Sequence, residues 1–333
     1  MRIRSEKARC YNRGQDGGYS SVAERRSVAA DVVGSKPTSR PNLLPSLRDD
    51  RQSGVCCEAQ QLTDFLLPRA PRLYTSTFPT GVAAAPPRLF AGTSGWAYST
   101  WKPEFYPEGL AAKKFLSFYA SRMNSVEVNY TFRTLPSERT LSDWLAATPE
   151  GFRFSFKAPQ RITHFNRLRE CEDDLTQFIE LLAPVRDAGK MGLVLFQLPP
   201  NFMADAGRLR KFLGASVWQT NRTLPIAFEF RHESWFSPEI ESVLSDHNAA
   251  LCIAESDDLA TPEMHPAANY TSFRLRRNGG YKKAELAAFA KRFLMLSQTR
   301  DVYVYFKHED EPTGALNAAD LLRRAVAEAR KPK

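Results

Sequence analysis

The sequence predicts an α/β protein of the (β/α)8 barrel type, and three observations carry that prediction. Eight short apolar runs, each followed by a loop or a helix-patterned segment, recur between Leu89 and Lys307. Strands alternating with helices form a parallel sheet, and eight such units are the number that closes a TIM-type barrel. Several runs end in polar or charged residues, namely Asn129, Lys157, Gln197, Glu229 with Arg231, Arg274 with Arg276, and Lys307. This fold carries its ligand site at the strand C-termini. Finally, setting aside an irregular stretch over 1–87 leaves 246 residues, close to the roughly 250 of a typical barrel.

The first run, Leu89–Gly92, opens the barrel. Its loop is aromatic (Trp96, Tyr98, Trp101, Phe105 and Tyr106), with Gly92 and Gly95 permitting tight turns. Phe115, Phe118, Tyr119 and Met123 then share one face of a helix over Lys114–Met123. The second run, Val126–Phe132, is followed by Leu141, Trp144 and Leu145, the buried side of a second helix. After the third run, Phe152–Ala158, the third helix is patterned by Leu175, Phe178, Ile179, Leu182 and Val185, with Pro184 bending or ending it. The fourth run, Leu193–Pro199, leads to a short helix over Asp205–Leu213. The fifth, Ile226–Arg231, precedes Ser237 and Pro238, an N-cap followed by proline at the first helical position. The sixth run is Leu251–Glu255. Beyond it the pattern lapses, because 257–269 holds two prolines and no helical period, so a loop and an irregular barrel are expected around strands six and seven. The runs Ser272–Arg276 and Val302–Lys307 complete the set, with helices over Lys282–Ser297 and Ala315–Ala329. A doubly wound open sheet is the alternative. It is disfavoured because Gly92-Thr93-Ser94-Gly95-Trp96 lacks the spacing of a glycine-rich phosphate turn.

Residues 88–333 therefore read as one barrel domain, and 1–87 as a disordered or non-native N-terminal extension. That extension mixes Arg, Ser, Gly and Pro without periodicity. It has no continuous apolar core of a secretory signal. Its acidic residues (Glu6, Asp16, Glu24, Asp31, Asp49 and Asp50) argue against a transit peptide, and translation from a start codon upstream of the native one is a further reading. It holds 13 Lys and Arg against 8 Asp and Glu, so over half of the net charge of +9 sits there and gives little support to nucleic-acid binding by the barrel. No run approaches the roughly 18 consecutive apolar residues of a membrane span, so no membrane partner is expected. Only Cys171 and Cys252 fall in the barrel, which excludes a disulfide framework and fits a reducing, cytoplasmic location. Cys252, inside an apolar run, reads as a small buried hydrophobe.

Alternation along a strand sorts the candidate site. Glu127, Asn129 and Thr131 share one face, and charge cannot easily face an apolar helix layer, so this face is expected inside the barrel. The same parity places Lys157 with Ser155, Glu229 with Arg231, Arg274 with Arg276, and Lys307 with Tyr305. Cations then outnumber carboxylates near the mouth, which suits an anionic ligand. The opposing reading is a self-neutralising polar core, strongest for Glu127 deep in its strand. His164, His232 and His308 follow strands and could act as acids or bases near neutral pH. Histidine spacing for a metal is missing, so no metal site is expected, and the residues identify no cofactor. Trp96 and the loop aromatics, and Trp235 after the fifth strand, either stack on a ligand or plug the barrel.

Six ordered segments carry a family resemblance: Gly92–Trp96, Ser125–Phe132, Phe152–Pro159 with Ile162-Thr163-His164, Phe196–Pro200, Phe228–Trp235 and Val302–Phe306. Together they resemble the family known as domain of unknown function 72, over about Leu89 to Ala329. The resemblance implies a (β/α)8 barrel related in architecture to sugar isomerases and some DNA-repair endonucleases, and implies no established reaction. It also implies that Trp96, Glu127, Asn129, Lys157, His164, Gln197, Glu229, Arg231, His232 and Trp235 fall on the family pattern. Phe132-Arg133 and Phe306-Lys307-His308 depart from it, both at strand ends.

The expected function is that of an enzyme acting on a small anionic or phosphorylated substrate, sugars included. Lys157, Arg231 and Arg274 would hold the anion, with Asn129, Gln197, Trp96, Trp235 and Lys307 completing the substrate site. Glu229 and a histidine (His164 or His232) would move protons, with Glu127 beside them. A nucleic-acid binding or processing module is the alternative, and a non-catalytic ligand sensor a third class. The residues leave the oligomeric state open.

Overall fold

The computed structural model describes residues 88–255, 259–264, 266–307 and 311–331. The strands are β1 (Leu89–Thr93), β2 (Ser125–Val128), β3 (Arg153–Lys157), β4 (Met191–Gln197), β5 (Ile226–Glu229), β6 (Ala250–Glu255), β7 (Tyr270–Leu275) and β8 (Asp301–Phe306). They pair in the order β1-β8-β7-β6-β5-β4-β3-β2, and every pair is parallel. The result is a nearly closed barrel.

Side chains rather than a backbone ladder bridge the seam between β1 and β2. The Asn124 amide accepts from the Ala91 N–H at 2.9 Å and donates to the Leu89 carbonyl at 2.8 Å. The Tyr119 hydroxyl accepts from the Thr93 N–H at 2.7 Å and donates to the Ser125 carbonyl at 3.0 Å. The strands approach so closely that a Cβ on Gly92 would lie 1.9 Å from the Ser125 oxygen. Only glycine fits there.

The barrel interior is layered. Phe90, Leu193, Leu195, Ala227, Ala250, Cys252, Tyr270, Tyr303 and Tyr305 form an apolar cluster in its lower part, and Cys252 is fully buried as expected. Ser125 and Ser155 satisfy the buried Tyr305 hydroxyl at 2.7 and 2.6 Å. The charged residues stand above that, at the C-terminal end. The outward residues Val126, Val128, Phe154, Phe156, Val194, Phe196 and Phe228 belong to the larger core under the helices.

The helices follow the apolar periods with shifted ends. They are α1 (Phe115–Ala120), α2 (Glu138–Ala146), α3 (Glu172–Leu181), α4 (Ala183–Asp187), α5 (Ala206–Leu213), α6 (Ser216–Thr220), α7 (Pro238–Asp246), α8 (Lys283–Leu296) and α9 (Thr313–Ala329). The expected third helix is two, because Pro184 starts a new turn in α4 rather than kinking one long helix. Ser237 caps α7 with its hydroxyl accepting from Ile240 N–H, as its spacing predicts. β2 is shorter than expected. It ends at Val128, after which a 3-10 turn spans Tyr130–Phe132, and the Thr131 hydroxyl within that turn donates to the Val128 and Lys157 carbonyls at 3.1 and 2.7 Å. Between β6 and β7, residues 259–264 and 266–269 form neither helix nor strand, in keeping with the lapse in pattern there. The expectations for 1–87 and His308 lie outside the described residues. Among the described residues no helix is long and apolar enough to cross a membrane.

Candidate functional site

The C-terminal end of the barrel is organised by one buried arginine. Arg274, on β7, is 1% exposed, and one side of its guanidinium donates to Glu229 Oε2 on β5. Nη2 donates to Glu127 Oε1 on β2 at 2.7 Å and lies 3.4 Å from Ser94 Oγ. Ser94 in turn donates to Glu127 Oε1 at 2.9 Å. Glu229 Oε1 accepts from Gln197 at 2.7 Å and from Arg231 at 3.0 Å. Carboxylates buried this fully persist only when paired and hydrogen-bonded. Burial alone would raise the Glu229 carboxyl pKa, but Arg274, Arg231 and Arg276 with the Gln197 amide outweigh it and hold the group well below the usual carboxylate range. Glu229, expected to move protons, has both oxygens engaged, Oε2 by Arg274 and Oε1 by Gln197 and Arg231. Arg274, expected to hold the anion, has its two terminal nitrogens engaged by those carboxylates.

The network leaves polar atoms over. Glu127 Oε2, Asn129 Oδ1, Arg274 Nε and Arg276 Nη1 are buried without a hydrogen-bond partner among the described residues. Asn129 is held by its other end, Nδ2 donating to the Ser94 carbonyl at 3.2 Å. Arg274 first, then burial, lowers Arg276 to about 10.

Lys157 ends β3 half-buried, its amine 4.0 Å from the centre of the Phe132 ring. Burial and then the neighbouring Arg274 pull its pKa down to about 7, against the opposing pull of Glu229 and Glu127. His164 lies on a π-helical turn over Arg161–Phe165 and meets the same Phe132 ring edge-on at 4.9 Å. Its Nδ1 is 2.9 Å from Thr163 Oγ1. Burial and the charge of Lys157 lower its pKa to about 4, so the ring is neutral at pH 7.

Barrel closure thus brings together Glu127, Asn129, Lys157, His164, Gln197, Glu229, Arg231 and Arg274. Other candidates go elsewhere. Trp235 is a core residue, 1% exposed, stacked on Phe230 at 4.5 Å with its indole N–H donating to the Phe202 carbonyl. It does not line the mouth. His232 accepts from the Ser234 N–H at 3.2 Å and so caps the turn over Glu233–Trp235. Trp96 is half-buried edge-to-face against Trp144, and Lys307 donates to Asn278 at 2.6 Å. In the first loop Trp101, Phe105 and Tyr106 are buried, with Phe105 and Tyr106 packed on Phe115, Phe118 and Tyr119 of α1 in the core under the helices. Sequence reasoning passed over Ser94, one residue beyond β1, and left Arg276 out of the site although its parity with Arg274 pointed there.

A cavity of about 350 Å³ lies at the opposite end of the barrel, lined among others by Trp218, Arg222, Leu224, Asp246 and His247. The interlocked charges lie instead at the C-terminal end, where barrels of this kind carry their ligand sites. Among the described residues no cluster of His, Cys, Asp or Glu could hold a metal ion.

Residues 90–333 match the family described as protein of unknown function DUF72. The chain is 31% identical over 156 residues to the UPF0759 protein YunF of Bacillus subtilis, covering 45% of this chain and 53% of that protein. It is 32% identical over 153 residues to the UPF0759 protein YecE of Escherichia coli K12, covering 45% and 50%. The chain thus spans about half the length of the curated relatives it matches. A DUF72 family protein from Thermotoga maritima superposes with a TM-score of 0.61 at 24% identity, over 71% of this chain and 98% of that one. Another from Enterococcus faecalis gives 0.58 at 20% identity, over 72% and 95%. Those two likenesses bear on the fold, whereas the family match takes in the strands and loops that carry the Arg274 network, so the chain belongs to the DUF72 family.

Proposed function

We propose that the protein is an enzyme acting on a small anionic substrate that also carries hydroxyl groups, a phosphorylated or carboxylated sugar-like compound, at the C-terminal mouth of the barrel. The orphaned atoms around Arg274 carry this reading. Each buried polar atom without a partner costs about 1–3 kcal/mol, and a barrel that needed only filling would be better served by apolar side chains. The arginine nitrogens want an acceptor, and Glu127 Oε2 and Asn129 Oδ1 want donors. An anion with adjacent hydroxyls supplies both. Arg231, Arg276 and Lys157 then grip the anion, Glu127 and Asn129 accept from hydroxyls, and Glu229 with Arg274 holds the floor of the site rigid. Lys157, with its pKa near 7, is better tuned than Glu229 to exchange a proton at neutral pH.

The test is a thermal-shift panel of sugar phosphates, carboxylates, nucleotides, divalent metals and short oligonucleotides at low and high salt. A ligand at about 100 times its Kd stabilises by about 2.7 kcal/mol. Stabilisation by a small anion, kept at high salt and lost in Lys157→Ala, is expected. If no small anion stabilises the protein, the reading fails.

A nucleic-acid module is the second reading, and one observation favours it. Tyr130, Phe165 and Met203 are 53%, 70% and 64% exposed on the segments after β2, β3 and β4, with Arg133, Arg161 and Arg167 on the same segments. Aromatics beside arginines suit stacked bases and phosphates. Stabilisation only by oligonucleotides, vanishing with salt as counterion release demands, would support it.

A further inference from the structure

Lys157 is a nucleophilic group that gripping an anion leaves largely unused. Among the described residues no hydrogen bond or ion pair engages its amine, which instead rests over the Phe132 ring. The carboxylates that face it, Glu127 from β2 and Glu229 from β5, are committed to Arg274, and Glu229 to Arg231 as well. Arg274 and Arg276 on β7 and Arg231 beyond β5 oppose its positive charge. A barrel that wanted a fixed cation here has three guanidiniums already, and they stay charged where an amine does not. The same Phe132 ring meets His164 edge-on at 4.9 Å, an imidazole bonded through Nδ1 to Thr163, with its Nε2 without a partner among the described residues.

We propose that Lys157 is the covalent nucleophile of this site, condensing with the carbonyl group of an aldehyde or ketone that bears a carboxylate or phosphate. This rests on the anion-site reading above and narrows its substrate to carbonyl compounds. The lone pair of the neutral amine attacks the carbonyl carbon. A C–N bond forms, the C=O electron pair moves to oxygen, and that oxygen gains the proton the nitrogen loses, giving a carbinolamine. A second proton, drawn from solvent, then protonates the hydroxyl, and the nitrogen lone pair expels it as water and forms the C=N bond, which leaves the imine protonated. One water leaves, and nothing is oxidised or reduced. Arg231 and Arg276 hold the acid group, and His164 Nε2 passes the proton between nitrogen and oxygen. A pKa near 7 leaves about half of the amine neutral at physiological pH, which an ordinary lysine does not achieve. The protonated imine then acts as an electron sink for bond making or breaking at the adjacent carbon.

Reductive trapping of the full chain tests this. Pyruvate, glyoxylate and dihydroxyacetone phosphate are the anionic probes, acetone the uncharged control, and sodium cyanoborohydride the reductant, with intact mass and peptide mapping as readouts. A single secondary-amine adduct on Lys157 is expected, forming at least about tenfold faster than on the average lysine, with a rate that rises as pH passes through 7 and is absent in Lys157→Arg. The carboxylate and phosphate probes separate the two acid classes by rate. Adducts scattered over other lysines, with Lys157 no more modified than the average, would overturn the proposal. Equal rates for acetone and the anions would overturn the anionic substrate class. The wild-type mapping decides the matter even if Lys157→Arg folds poorly. Failure here is distinguishable from failure of the anion site. Thermal stabilisation by these anions without a Lys157 adduct removes the imine and keeps the anion reading, whereas loss of both removes both.

Discussion

At the scale of single residues, Arg274 is the group on which most depends. It separates two carboxylates that are each at most 2% exposed, and without it they would repel each other across a dry space. Arg274→Ala is expected to lose about 3–5 kcal/mol in urea unfolding, a far larger loss than removal of a surface arginine such as Arg323, 75% exposed. Lys157 gives a pH signature of opposite character. Its folded pKa lies below its unfolded one, so between about 7 and 10.5 the unfolded chain binds the extra proton and stability rises with pH across that window. Chemical denaturation of wild type against Lys157→Met, at pH 7 and pH 10, should show the wild type gaining on the variant at the higher pH. A flat difference would mean that the amine titrates normally. The parity of strand residues was enough to send Glu127, Lys157, Glu229 and Arg274 inward. It could not say which charge neutralises which, because the partners come from β2, β5 and β7 and meet only when the barrel closes. Trp235 and Phe165 show the same limit reversed. The tryptophan chosen for the mouth is core, and the exposed ring, Phe165, carries no sequence mark of its exposure.

Among the elements, the seam between β1 and β2 is the most exacting. Gly92 faces the Ser125 carbonyl so closely that an added methyl has nowhere to go, and the obstruction is backbone rather than a flexible side chain. Gly92→Ala is expected to cost more than about 3 kcal/mol and to lower the melting temperature accordingly. A near-neutral result in calorimetry would show that the seam can open. The apolar periods located every strand and the main helices, since burial of one face is written into residue spacing. Their ends were less legible. β2 stops at Val128 because the Thr131 hydroxyl turns back on the Val128 and Lys157 carbonyls, a bond that depends on β3 lying alongside. Pro184 announced a break in the third helix, but whether it ends one helix or starts another depends on how both pieces pack on the sheet.

For the molecule as a whole, the family match begins at residue 90, and among the described residues the apolar core runs from Leu89 to Ala325. A chain consisting of 88–333 is therefore expected to melt within about 3 °C of the full chain, a difference of about 1 kcal/mol. A much larger drop would mean that 1–87 contributes to the folded domain. Alternating apolar runs, eight of them, determined the barrel, and polar strand ends determined at which end of it the charged side chains gather. Both follow from local periodicity and from the cost of burying charge, which any stretch of chain carries by itself. Tertiary structure alone decided that Arg274 is consumed by two carboxylates, that Lys157 rests over the Phe132 ring, and that Asn124 and Tyr119 bridge the open seam. Those outcomes depend on distances between strands far apart in sequence, and barrel closure sets those distances.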